Sequence, residues 1–326
     1  MKTCDNCKLV FIHSKETCDS CGGVITEPKL TDKYLKEFLA VDDKMLKRFK
    51  EIRLATIKEA KQRASKKGPL VALGISGSAR DQFDMAGESS NSEFLLKIAL
   101  AELKKEGVKT ELIPLRKYNI KHCKACYSTT NTQCHFTCSC YPKGKPTGDD
   151  MSNVLYEKIL GADIIIFATP VNNFKISSLL ALFIDRCISL DGSLLPADPK
   201  ATKNRELNIK HTKFVELMAD PNIPGSGFLR RFSGKVGGVL VTGHEAGAAM
   251  VISSLFMTLN HFGMAFSPWS NMYAMSSITN PTYKDKQLVN NLGYQEDAIM
   301  VAKNALKLAK AIRVQTQEWK YDNSAN

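Results

Sequence analysis

From Leu70 onward, short apolar runs alternate with stretches whose apolar positions recur every three to four residues. The runs are LVALGIS (70–76), TELIPL (110–115), ADIIIFAT (162–169), KVGGVLVTG (235–243) and, with a weaker pattern, AFSPWSNMYAM (265–275). They are rich in Val and Ile and bounded by Gly or Pro, which predicts strands. The stretches between them predict helices over Asn91–Lys105, Met151–Leu160, Ile176–Ile188 and Ala246–Phe262, with Glu296–Val314 as the closing helix. Near-continuous apolar strands separated by helices predict a parallel sheet covered on both faces.

Five strands of this kind suit an α/β, flavodoxin-like, doubly wound sheet, whose ligand site lies at the carboxyl ends of the strands. Residues 191–234 break the alternation and read as an insertion of loops with one short element. Ahead of the strands, Leu35, Phe38, Leu39, Met45, Leu46, Phe49, Ile52 and Ile57 recur near the helical period, with Lys and Arg between them. That pattern predicts one or two amphipathic helices, stopped by Gly68 and Pro69. The expected organisation is a small cysteine-marked segment over 1–30, a basic helical connector over 31–68 and a flavodoxin-like domain over 69–326.

Charge changes the picture in one place. The formal net charge is +12. Thr31–Lys67 holds twelve Lys+Arg against six Asp+Glu, so half of the excess sits in that one stretch. Such a field attracts nucleic acid, anionic cofactors or acidic proteins, but it also describes a solvated helix face. No apolar run reaches the length of a membrane span, and MKTCDNCKLV lacks the layout of a signal peptide. A cytoplasmic setting is therefore expected. There, clustered thiols point to metal or redox chemistry more than to structural disulfides.

The ten cysteines fall into two groups and one isolated residue. Cys4-x2-Cys7 and Cys18-x2-Cys21, ten residues apart, have the spacing of a four-thiolate tetrahedral site, and Gly22 and Gly23 suit its tight turn. Zinc is the favoured ion, with rubredoxin-like iron as the alternative. Cys123, Cys126, Cys134, Cys138 and Cys140 crowd into one loop after the second predicted strand. Their spacing leaves metal ligation, disulfides and redox-active thiols all open. Cys187 sits on a predicted helix as a small core residue.

The first strand runs into GISGSARDQFDMAGESSNSEFLLKIAL. A helix N-terminus after a strand offers unpaired N–H groups to an anion. Ser76, Ser78, Ser90, Asn91 and Ser92 add side-chain donors, Arg80 adds a fixed charge, and Gly77 lets the backbone approach closely. Neither a P-loop nor a G-x-G-x-x-G pattern is present. The alternative is an ordinary Ser/Asn helix cap.

The segments GISGSAR…SNSEFLLKIAL, CKAC, DDMSNVLYEKILGADIIIFATPVNNFKISSLLALFIDR and VTGHEAG, in this order, resemble the NADPH-dependent FMN reductase superfamily. The iron–sulfur flavoproteins are its most similar members, and the resemblance covers roughly Leu70 to Val314. It implies that Ser76, Ser78, Arg80, Asn91 and Ser92 hold the phosphate of FMN. It also implies that Thr169, Pro170, Val171, Asn172, Asn173 and Phe174 lie along the isoalloxazine ring. Gly243, His244, Glu245 and Gly247 would border the ring from the other side. Relatives often carry an aromatic where this chain has Asn172, leaving ring stacking to Phe174 or a neighbouring subunit. His244 is the candidate catalytic residue, able to protonate a quinone-like acceptor or stabilise reduced flavin. In the iron–sulfur members a compact cysteine set at the place of CKAC carries a [4Fe–4S] cluster. By resemblance, four of Cys123, Cys126, Cys134, Cys138 and Cys140 would do so here.

The implied activity passes electrons from NAD(P)H, or a reduced carrier protein, through FMN to a quinone, flavin or protein acceptor. The implied assembly is a homodimer or homotetramer. A second hypothesis is a non-enzymatic flavin electron-transfer or redox-sensing protein, whose ribbon and basic helix engage a partner or nucleic acid.

Overall fold

Strands come first along the chain, but they are short. The computed structural model describes residues 2–11, 16–81, 85, 87, 89–126, 134–243, 247–276 and 285–315. β1 (Lys2–Cys4) pairs antiparallel with β2 (Val10–Phe11) and β3 (Ile25–Thr26), giving a three-stranded ribbon around Cys4, Cys18 and Ile25.

The amphipathic segment resolves as two helices, α1 (Asp32–Leu39) and α2 (Asp43–Ala64). The break is local: Ala40 turns left-handed at φ 49°, and Asp42 then caps α2 by accepting a hydrogen bond from the Met45 N–H at 2.7 Å. Leu35, Leu39, Leu46 and Phe49 face inward against Phe214, Val215 and Leu217 of α6 (Arg205–Leu217), inside the predicted insertion. The connector and the insertion thus share a core. Full burial of each such side chain is worth about 1.5–3 kcal/mol.

The main sheet is built from β4 (Val71–Ser76), β5 (Lys109–Pro114), β6 (Ile164–Asn172), β8 (Val236–Gly243) and β9 (Ala265–Met275). These five strands are mutually parallel in the order β5-β4-β6-β8-β9. Renumbered within the sheet, that is the 2-1-3-4-5 order of the flavodoxin-like fold. β7 (Lys175–Ile176) turns back antiparallel on the end of β6. This pairing carries β6 three residues past the expected Thr169, because Val171 and Asn172 find partners in Ile176 and Lys175.

Successive strand residues point to opposite faces, and both faces are covered. Leu73, Ile75, Ile165 and Phe167 meet α4 (Tyr156–Gly161), α5 (Ser178–Cys187) and α7 (Ala248–His261). Ala72, Ile164, Ile166 and Ala168 meet α3 (Asn91–Lys105) and α9 (Leu292–Gln315), with the short α8 (Asp285–Val289) at one end. Gly74 lets α3 approach, since a Cβ there would lie 2.6 Å from Leu100 Cδ1. The helix expected over 151–160 opens as a π-helical turn, Met151–Leu155. Among the described residues, no helix is long and apolar enough to cross a membrane.

Candidate functional site

At the carboxyl ends of the main strands lies a cavity of about 350 Å³. Ser78, Ala79 and Arg80 line it from the loop after β4, and Ser90 and Asn91 from the start of α3. Pro170, Val171 and Asn172 contribute from β6, Thr242 and Gly243 from β8, Ala274 from β9, and Leu288 and Val289 from α8.

Local chemistry holds the β4–α3 loop in place. The Gly77 N–H donates to Ala168 O at 2.8 Å, and Ser177 Oγ donates to Gly77 O at 2.6 Å. A Cβ on Gly77 would lie 2.8 Å from Ser177 Oγ and 2.9 Å from Leu180 Cβ, so only glycine fits between loop and α5. Ser78 Oγ accepts from the Arg80 N–H at 3.2 Å, and Ser90 caps α3 by accepting from the Glu93 N–H at 3.3 Å. Hydroxyls, an amide and a guanidinium therefore share one wall of the cavity, while the rest mixes aliphatic side chains with Asn172 and Thr242.

The structure brings Ser78, Arg80, Asn91, Pro170, Val171, Asn172 and Gly243 together around this space. Ser76 and Ser92 are not among the lining residues. Ser76 Oγ is fully buried and donates to Glu93 Oε2 at 2.9 Å, and Ser92 Oγ is buried 3.0 Å from Ser90 Oγ. Thr169 Oγ1 is likewise internal: it donates to Pro170 O at 2.9 Å and accepts from the Ser177 N–H at 3.2 Å. Asn173 and Phe174 form the tip of the β6–β7 hairpin, at φ 50° and 62°. Two left-handed residues at a two-residue hairpin tip match the twist of the flanking strands, and for non-glycine residues they store strain. Gly247 sits behind this tip, where a Cβ would come within 2.7 Å of Phe174 Cα and 2.9 Å of Val171 Cγ1. His244 and Glu245 lie outside the described residues.

Sequence reasoning missed Thr242, Ala274, Leu288 and Val289, which join the cavity only through sheet order and the placement of α8. It also missed Glu93 and Arg116. Burial opposes ionisation of Glu93, yet hydrogen bonds from Arg116 and Ser76 hold its carboxyl down at about 2.

The four ribbon cysteines converge. Cys4 Sγ is 3.5 Å from Cys21 Sγ, Cys7 Sγ is 3.5 Å from Cys18 Sγ, and all four sulfurs lie within 4.8 Å of one another. A tetrahedral ion with bonds of about 2.3 Å holds its thiolates about 3.8 Å apart, so the cage has the size of a single metal ion. The residue after each knuckle is left-handed, Lys8 at φ 57° and Gly22 at φ 68°. The Cys7 backbone N–H lowers the Cys4 thiol, while the neighbouring thiols push Cys7 up, so the crowded sulfurs share charge unevenly.

The five-cysteine loop is anchored from below. Arg186 and Asp149 form a bidentate pair at 2.8 and 2.9 Å, with side chains 1% and 0% exposed. The Arg186 guanidinium also stacks 4.7 Å from the Tyr141 ring centroid and donates to Lys121 O at 2.9 Å. Further along, Phe136 N donates to Leu194 O and Leu194 N to Cys134 O, and Arg231 covers the Phe136 ring at 4.3 Å. Cys126 Sγ and Cys140 Sγ are 3.5 Å apart, with Cys140 donating. That hydrogen bond lowers the Cys126 thiol, against the opposing effect of burial. Burial pushes the Cys134 thiol up to about 12. The spread of the five loop sulfurs is wider than a cage for one ion, since among the described residues the ribbon is the group whose ligand atoms all lie within 4.8 Å. No disulfide joins cysteines among the described residues.

Residues 71–210 match the family model for NADPH-dependent FMN reductase. Two iron–sulfur flavoproteins of Archaeoglobus fulgidus are similar to this chain. One is 33% identical over 96 residues, 29% of this chain and 42% of the relative. The other is 32% identical over 119 residues, 36% of this chain and 51% of the relative. The matched region thus spans about half the length of those relatives or less. Among solved structures, RosB with bound 8-demethyl-8-formylriboflavin-5'-phosphate superimposes with a TM-score of 0.55 at 20% identity, covering 76% of this chain and 81% of that one. That likeness extends the shared fold beyond the segment matched by the family model.

Proposed function

We propose that this chain, whose residues 71–210 match the family model for NADPH-dependent FMN reductase, is an FMN-dependent oxidoreductase that uses the cavity at its strand ends. One observation carries the reading: Ser78, Arg80, Ser90 and Asn91 share a wall of the cavity at the N-terminus of α3, where an anion is favoured. The volume, about 350 Å³, lies in the range of small-ligand pockets, and the donor set suits a phosphate monoester beside a flat apolar ring.

The residues divide the work. Ser78, Arg80 and Asn91 hold the terminal phosphate, and Pro170, Val171 and Asn172 border the ring along one edge. Gly243 lets the β8 backbone approach from the other. FMN, when bound, supplies two-electron chemistry, accepting hydride from a nicotinamide and returning electrons to an acceptor. The protein's part is to fix the ring, exclude water behind it with Ala274, Leu288 and Val289, and leave one face open. By resemblance, Asn173 and Phe174 lie along the ring and Glu245 and Gly247 border it from the other side, and His244 is the proposed proton donor to the acceptor. Ser76, Ser92 and Thr169 act behind the lining, ordering the loops that carry it.

On this reading, NAD(P)H or a reduced carrier is the donor, and a quinone, free flavin or protein the acceptor. Four of the five loop cysteines hold an iron–sulfur cluster that relays electrons, and the ribbon holds zinc. The chain divides into ribbon (1–30), connector (31–68) and flavin domain (69–326), assembled as a homodimer or homotetramer.

The test is steady-state oxidation of NADH and NADPH by FMN-loaded protein with a benzoquinone as acceptor, under nitrogen. Multiple turnovers that disappear without FMN support the proposal. FMN-loaded protein that turns over with neither nicotinamide, yet binds nucleic acid with steep salt dependence, favours the sensor hypothesis instead.

A further inference from the structure

A buried acid lies just behind the proposed phosphate site. Glu93 is the third residue of α3 and 5% exposed. Within one helical turn of an N-terminus, its charge would oppose a phosphate drawn there by the same N–H groups. Sequence explains its presence in part, since Ser90-Asn91-Ser92-Glu93 has the spacing of a capping box. In that motif the Glu reaches back to the backbone N–H of the capping residue. Here the carboxylate is taken elsewhere. Arg116 donates to Glu93 Oε2 at 2.5 Å and to Oε1 at 3.3 Å, Ser76 Oγ donates to Oε2 at 2.9 Å, and Lys97 Nζ lies 3.2 Å from Oε1.

Arg116 reaches this position from the turn that follows β5, the strand beside β4 in the sheet. Its side chain is 18% exposed, so the pair with Glu93 is largely shielded from water. Two consequences follow from the geometry. The negative charge behind the loop is cancelled, and the carboxylate is drawn away from the cap.

We propose that Arg116 is a positioning residue for phosphate recognition: by capturing Glu93, it leaves the α3 N-terminus electropositive and keeps the carboxylate off the Ser90 N–H, which a phosphate monoester can then use. The proposal rests on the cavity holding FMN. It makes the protein's preference for a phosphorylated over an unphosphorylated flavin depend on a residue that does not line the cavity.

The test compares binding of FMN and riboflavin, which differ by the phosphate alone, to the full chain and its variants. Arg116→Gln leaves Glu93 charged, with only the more exposed Lys97 and the Ser76 hydroxyl still beside it. FMN affinity is expected to fall at least tenfold, with riboflavin affinity changed less than twofold. Arg116→Lys, which keeps the charge, should hold FMN within about threefold of the wild type. Arg116→Gln combined with Glu93→Gln removes both charges and should recover FMN affinity, which also covers the case in which the single variant fails to fold. Equal loss of both flavins in Arg116→Gln, or no recovery in the double variant, would overturn the proposal in favour of a purely structural pair. Wild-type protein that binds neither flavin overturns the cavity assignment, and this proposal with it.

Discussion

Replacing Asp149 by Asn keeps the shape of the side chain and removes its charge. The Asp149 carboxylate accepts from both Arg186 Nη atoms at 2.8 and 2.9 Å, and from the Lys121 and Ser152 backbone N–H groups, each at 3.0 Å. All four partners are donors. An Asn offers one acceptor oxygen, so its amide nitrogen must face donors on one side, and a guanidinium 1% exposed is left without a counter-charge. Removing one partner of such a buried pair costs about 3–5 kcal/mol. That is a large share of the roughly 5–15 kcal/mol that holds a typical native protein together. With a urea slope of about 3 kcal/mol per molar, the unfolding midpoint should drop by about 1–1.7 M. The assay is urea denaturation followed by far-ultraviolet circular dichroism and tryptophan fluorescence. Asp149→Leu with Arg186→Met, which replaces the pair by apolar groups, should recover most of the loss. A single Asn variant within about 0.5 M of wild type would refute the claim that this ion pair anchors the cysteine loop.

Gly77→Ala forces a Cβ to within 2.8 Å of Ser177 Oγ, so it should cost about 1–3 kcal/mol and weaken FMN binding, as read by urea midpoint and flavin titration. Glu93 titrates at about 2 in the folded protein, below its ordinary 4.5. Its contribution to stability is therefore present above about pH 4.5 and is lost as the pH falls toward 2. Wild type should consequently lose more stability than Glu93→Gln between pH 5 and pH 3. Cys18→Ser removes one of four converging thiolates, so bound zinc by mass spectrometry should fall from about one ion per chain to well under half.

Much of the fold was legible because both faces of the central strands are buried, and continuous Val and Ile runs survive any uncertainty about register. The last strand was harder to read. β9 carries Pro268 and a left-handed Trp269 at φ 53°, and its pairing with β8 shifts register between Gly237 and Val239, so its sequence lacks a clean alternation. The split between α1 and α2 was half legible, since Asp42 is a capping residue by type whereas the Ala40 side chain gives no sign of a left-handed turn. At the site, polarity was a fair guide to which segments converge and a poor guide to which side chains face the cavity. Ser76 and Ser78 read alike in sequence, yet only Ser78 lines it, because a carboxylate 17 residues away captures Ser76. The Glu93–Arg116 and Asp149–Arg186 pairs, 23 and 37 residues apart, exist only through the order of strands in the sheet.

The central claim is that the cavity at the strand ends grips a flavin mononucleotide by its phosphate. Isothermal titration of flavin-free, folded protein with FMN tests it most directly, with riboflavin and inorganic phosphate as companion titrants. Saturable binding of one FMN per chain is expected, at least tenfold tighter than riboflavin and competed by phosphate. Folded protein that takes up no FMN, or binds riboflavin equally well, contradicts it.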